Sequence, residues 1–165
     1  MPPPIHQAGL TPSVLDRLID PESAGTAIMS GFSAEKMFGA VLRDLEDLLN
    51  TRRTAGVIPP HFDEIQTSIV AYGLPDLASA DASSTTSRQE VAAAIKVVIE
   101  RYEPRLQDIA VFLLNPEDDP VRQAVKFRVD ARLAVDPFPD IAFDTILEMG
   151  SGQYKVTEAT SDSRA

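Results

Sequence analysis

The triplet Glu103-Pro104-Arg105 is where residue types and spacing could do chemistry. Pro104 has no backbone N–H, and its ring disfavours helical geometry at Glu103, so a helix arriving from the N-terminal side must stop here. Two opposite charges then flank a rigid corner. Such a corner can hold a planar guanidinium in one place, ready for carboxylates or backbone carbonyls. The plainer reading is a helix stop whose charges are solvated, since exposed ion pairs contribute little. Glu103 is also the best single candidate for a general acid, but a guanidinium two residues away is the wrong neighbour for a proton donor. Two carboxylates can hydrolyse a glycoside when their environments differ and their spacing is right. With 25 acidic residues, however, some pair meets any spacing.

Other chemistries are poorly served. The chain has no Cys, hence no thiolate nucleophile, thiolate metal site or disulfide. Its two His, His6 and His61, lie far apart, and no HExxH, GxSxG, P-loop or GxGxxG pattern occurs. The expectation is therefore no catalytic residue, no metal, no cofactor and no small-molecule substrate. A net charge of −10 argues against nucleic acid held by bulk electrostatics. No run of about 18 apolar residues could span a membrane. The start, Met1-Pro2-Pro3-Pro4-Ile5-His6, lacks the pattern of a secretory signal, which makes the cytoplasm the expected compartment.

The elements that must position the triplet follow from periodicity. At 165 residues and 44% hydrophobic, the chain can build one real core. Residues 1–31 read as an arm. Thr11-Pro12 suits a helix start, and Val14, Leu15, Leu18 and Ile19 share one side of a short amphipathic helix. That helix is either tucked against the core or offered to a partner, with Leu15 and Leu18 its candidate contacts. The main domain is expected over residues 32–157. Ser33 opens a helix in which Met37, Phe38, Val41, Leu42, Leu45, Leu48 and Leu49 recur at helical spacing. It ends near Arg52 and Arg53, which suit a helix C-terminus and equally suit docking in so acidic a chain. Ser68 to Tyr72 reads as a short strand or one helical turn. Ser87-Arg88-Gln89-Glu90 reads as a capping box opening a second helix through Val91, Ala94, Ile95, Val98, Ile99 and Tyr102, which delivers the corner.

After Leu106 the period changes to two. Ile109 to Leu114 is apolar on both faces, the pattern of a central strand. Val125, Phe127, Val129, Ala131 and Leu133 alternate with Lys126, Arg128, Asp130 and Arg132, a strand with one wet face. Those cations either deter edge aggregation or line a sheet that accepts another chain's strand. Ile141 to Met149 and Tyr154 to Thr157 complete an antiparallel meander, and residues 158–165 read as a frayed tail. The fold class is α+β: two main helices on a C-terminal antiparallel meander, with a short N-terminal arm.

Three stretches in order carry a resemblance: Asp44-Leu45-Glu46-Asp47-Leu48-Leu49-Asn50-Thr51-Arg52-Arg53, Ser68-Ile69-Val70-Ala71-Tyr72-Gly73-Leu74-Pro75-Asp76, and Glu103-Pro104-Arg105-Leu106. Together they resemble the baseplate wedge family of contractile injection machines, long labelled lysozyme-like. The arm Ser13-Val14-Leu15-Asp16-Arg17-Leu18 is similar to that of the type VI secretion members, the TssE group. The resemblance implies a non-enzymatic subunit that joins other wedge proteins through Glu103, Pro104 and Arg105. It also implies strand exchange between the C-terminal meander and the contractile sheath subunits, seeding their polymerisation. Which strand is the open edge is not legible. The alternative is a peptidoglycan hydrolase.

Overall fold

The computed structural model describes residues 13–19, 34–53, 56, 58, 59, 61–75, 84–114, 124–134, 140–148 and 151–159. The expected opening at Ser33, the turns over 115–120 and 136–139, the proline-rich start and the last six residues lie outside them. Among the described residues the order is α1 (Val14–Ile19), α2 (Ala34–Asn50), α3 (Asp63–Gln66), a 3₁₀ turn (Ile69–Ala71), α4 (Thr85–Tyr102), β1 (Leu106–Leu113), β2 (Ala124–Leu133), β3 (Asp140–Glu148) and β4 (Gln153–Glu158). The strands form one antiparallel sheet in sequence order. The α+β expectation holds.

The core forms where the two periodicities meet. Met37, Val41, Leu45, Leu48 and Leu49 make one buried stripe on α2, and Val91, Ile95, Val98 and Ile99 another on α4. Both stripes pack with Phe127, Val129, Ala131, Leu133, Phe143, Tyr154 and Val156 of the sheet. Burying a side chain of that size contributes about 1.5–3 kcal/mol before the entropy of ordering it is subtracted. The outer face carries the wet half of the alternation. There Arg128 binds Asp144 through Nε at 2.9 Å, and Arg132 reaches Asp140 at 2.8 Å and Asp108 at 3.2 Å. Arg128 and Arg132 are thus paired across the sheet.

Three expectations need correction. Helix α4 starts earlier than Ser87: Ser84 is the cap, its hydroxyl accepting from the Ser87 N–H. Ser87 lies one turn inside, so its own side chain has no cap to make. In the arm the cap is Ser13, whose hydroxyl accepts from the Asp16 N–H at 3.1 Å while Asp16 accepts in return from the Ser13 N–H at 2.9 Å. This is a reciprocal box one turn long. Finally, β1 is an edge strand rather than a central one. It looks apolar on both faces because Ala110 and Phe112 on the outer face are apolar too, while a bulge between Gln107 and Ala110, with Asp108 at φ 53°, shifts the alternation just before them. The extra residue lets Leu106 and Ile109, three apart, both face the core, while Phe112 stays exposed on the far side. The 62–70 stretch also holds α3, which its lack of periodicity hid. Of the two options for Ser68 to Tyr72, the helical turn is the one formed.

Candidate functional site

Helix α4 ends at Tyr102, and Glu103 is its C-cap, its N–H still donating to the Ile99 carbonyl at 2.9 Å. Pro104 is exposed at the turn, and the Leu106 N–H closes the corner on the Glu103 carbonyl at 3.1 Å. The guanidinium is indeed held in one place, but by this chain's own carboxylates. Arg105 Nε donates to Glu103 Oε1 at 2.6 Å, Arg105 Nη2 donates to Glu103 Oε2, and the same Nη2 donates to Asp44 Oδ2 at 2.7 Å. The Arg105 backbone N–H adds a further bond to Glu103 Oε1 at 3.2 Å. Glu103 is 4% exposed and the Arg105 side chain 21%. Hydrogen bonding to Glu103, and to Asp44 behind it, raises the Arg105 pKa well above its ordinary value against the opposing pull of burial.

The network continues to the arm. Asp44 Oδ1 accepts from Arg43 Nη2 at 2.6 Å and Nε at 2.9 Å, and Arg43 Nη2 reaches Asp16 Oδ1 at 2.8 Å. Five charges, Asp16, Arg43, Asp44, Arg105 and Glu103, therefore alternate in sign from α1 across α2 to the corner. Asp16 is 7% exposed. Burial alone would raise its pKa, but the bonds from Arg43 and Ser13 outweigh that and lower it. The arm helix thus docks through its polar side. Leu15 and Leu18 point outward instead, Leu18 at 77% exposed.

Between these parts lies an open cleft of about 400 Å³ lined by Leu15, Asp44, Asp47, Tyr72, Tyr102 and Arg105, with Ser13, Leu48 and Glu103. The Tyr72 and Tyr102 rings meet edge to face, centroids 5.1 Å apart. The Tyr102 hydroxyl is anchored within hydrogen-bond distance of the Gln66 and Ser68 carbonyls, at 3.0 and 3.2 Å. The structure thus gathers Leu15, Glu103 and Arg105 at one cleft, with Pro104 on the turn beside it and Leu18 on the outer side of α1. Arg52 and Arg53 are not among its lining residues. Their backbone instead forms a parallel bridge to Leu74, with the Arg53 N–H donating to the Leu74 carbonyl at 2.8 Å. The Arg52 guanidinium lies beside Gly152 at the β3–β4 turn.

Sequence reasoning missed Asp44 and the tyrosine pair as parts of the site. Asp44 lay inside the resembling stretch, yet its partner Arg105 is 61 residues away, and nothing local announces such a pairing. It also missed how the two sheet margins differ. On β4 the outward Tyr154 N–H donates to Asn50 Oδ1 at 2.8 Å, the Tyr154 carbonyl accepts from Asn50 Nδ2 at 2.8 Å, and the Val156 N–H donates to Glu46 Oε2 at 3.0 Å. Helix α2 thereby covers that margin at Tyr154 and at the Val156 N–H. On β1 the Leu114 N–H donates to Lys126, so Phe112 and Ala110 also bond toward β2, while Val111 and Leu113 turn their peptide groups outward. Among the described residues nothing bonds to those groups.

The described residues include no cluster of acidic or histidine side chains fit to hold a metal ion, and no helix long and apolar enough to cross a membrane. No curated protein and no solved structure matches the chain. A family model described as Baseplate wedge protein gp25 matches residues 35–137, from the start of α2 to just past β2, taking in the corner, Asp44 and the open strand. That match spans well over half of the sequence, and the chain belongs to the gp25 baseplate wedge protein family.

Proposed function

We propose that this protein is a structural wedge subunit of a type VI secretion baseplate, joined to other wedge proteins at the corner and extended by contractile sheath subunits at the β1 margin. The observation that carries the reading is the contrast between the two sheet edges. Asn50 and Glu46 satisfy the outward Tyr154 N–H and carbonyl and the Val156 N–H of β4, while among the described residues the outward peptide groups of Val111 and Leu113 of β1 are unmet. An unmet row of this kind is what strand addition uses: backbone bonds supply affinity, and alternate side chains supply register. The type VI assignment rests on the arm, whose Ser13 to Leu18 stretch resembles that branch of the family. The workplace is then the cytoplasmic face of the inner membrane, where such a baseplate assembles.

In this reading Glu103 and Pro104 give the corner its shape, Arg105 locks it, and Leu15 and Leu18 supply exposed apolar contact. Arg52 and Arg53 offer positive charge outside the cleft for a second wedge contact. The protein acts by binding and carries out no reaction. For a hydrolase, Glu103 would have to hand a proton to a glycosidic oxygen, yet both of its oxygens accept from Arg105.

The test is seeding. Purified protein, bound to its wedge partners and added to sheath subunits, should shorten the lag of sheath polymerisation. Val111→Pro should abolish this effect while the chain stays folded, because among the described residues the Val111 N–H serves no internal bond and proline is tolerated on an edge. Seeding by the folded Val111→Pro protein at the wild-type rate would overturn the reading.

A further inference from the structure

The charge pairing at the corner changes what a partner must bring. A free guanidinium would seek a partner's carboxylate. Here Arg105 is already shared between Glu103 and Asp44. The charged residues lining the cleft are Asp44, Asp47, Glu103 and Arg105, which leaves it two negative charges in excess. Asp44 and Glu103 are both engaged. Asp47 is exposed and, among the described residues, its carboxylate meets no cation. Facing this free carboxylate are two tyrosine rings, one of them anchored by its hydroxyl. Burial first, then Asp47, Asp44 and Glu103, push the Tyr72 hydroxyl pKa upward, the response of a phenol sitting in a negative field.

Resting on the reading that wedge partners dock at this corner, we propose that the cleft between α1, α2 and the α4–β1 turn is a receptor for one cationic side chain of a partner protein, an arginine by preference. A guanidinium suits the site better than an ammonium. It can pair with the Asp47 carboxylate through parallel N–H donors while lying against a tyrosine face. The cleft is too open and too acidic for an apolar ligand to be held. Its volume takes a side chain rather than a strand or a helix. The charge ladder has a definite task in this arrangement. By neutralising Arg105 it removes the one group that would repel the incoming cation, and by fixing Asp16 it keeps Leu15 as one wall.

The first arm of the test uses the free side chain. N-acetyl-arginine amide is titrated into the ¹⁵N-labelled protein beside its neutral isostere N-acetyl-citrulline amide and the anion N-acetyl-glutamate amide. Arginine should shift Asp47, Leu48, Tyr72 and Tyr102 saturably, and Asp47→Asn should weaken that response at least fivefold. Citrulline and glutamate should leave these residues in place. An equal response to citrulline, a response to glutamate, or an undiminished response in Asp47→Asn would overturn the inference. The second arm uses the baseplate wedge proteins, co-expressed and co-purified with the variants. Asp47→Lys and the cleft-filling Leu15→Trp should both lose the partner, and Asp47→Glu should keep it. If Leu15→Trp loses the partner while Asp47→Lys keeps it, the corner docks a partner without a cation, and only this inference fails. If neither variant loses it, the docking reading fails as well.

Discussion

Replacing Arg105 by Ala should unfold the protein far more readily than an exposed-arginine substitution would. The side chain is one-fifth exposed, and its removal strands Glu103, which is 4% exposed and accepts three of its bonds from this one residue. Breaking a buried pair by deleting one partner costs about 3–5 kcal/mol, because the surviving charge has lost both water and counter-charge. Water can reach the corner once the guanidinium is gone, so the low end applies, about 3 kcal/mol. With a urea m-value of about 2 kcal/mol/M, the unfolding midpoint should fall by about 1.5 M with m unchanged. The double variant Arg105→Met, Glu103→Gln removes the stranded charge and should regain about half of that loss, a positive coupling in the double-mutant cycle. A fall below about 0.5 kcal/mol, the level expected of a solvated surface residue, would refute the claim that this corner is locked from within.

Thr145 is fully buried in β3 and its hydroxyl has no hydrogen-bond partner among the described residues, so Thr145→Val should stabilise the fold by about 1 kcal/mol, read from the same urea midpoint. At Gly73, φ is +96° and an added Cβ would lie 2.2 Å from the Thr51 carbonyl oxygen. Gly73→Ala should therefore cost about 3 kcal/mol and break the hydrogen bond from the Leu74 N–H to the Thr51 carbonyl, visible as faster exchange of the Leu74 amide. The folded pKa of Asp16 lies below the ordinary 3.8, so its contribution to arm docking is fully present above that value and is lost as pH falls through the lower folded one. Methyl signals of Leu15 and Leu18 should move with that acid transition, and Asp16→Asn should show the undocked signals already at pH 7.

Much of this architecture is written locally. The stripes on α2 and α4, the alternation of β2 and the stop at Pro104 each depend on neighbours within a turn or a strand, so reading them needs only periodicity and proline chemistry. The failures share a cause. Apolar Ala110 and Phe112 on the outer face make the edge strand β1 look apolar on both sides, and no residue type announces the bulge before them, carried by Asp108 rather than Gly. Glu46 and Asn50, spaced to share one side of α2, look like ordinary surface until β4 arrives more than 100 residues later to be capped by them. Of the two options for the arm helix, packing its apolar side on the core is not the one formed: tertiary charge pairing docks it through Asp16 and leaves Leu15 and Leu18 outside. The corner itself was legible, but its charge state toward a partner was not, because Asp44 reaches it from another element.

The two sheet margins differ in how their outward amides are met, and amide hydrogen exchange on the isolated protein reads that difference directly. The Val111 and Leu113 amides should exchange fast while Phe112 and Leu114 beside them are slow, and Tyr154 and Val156 at the opposite margin should be protected by Asn50 and Glu46. Uniform protection along β1, or fast exchange at Tyr154 and Val156, would contradict it.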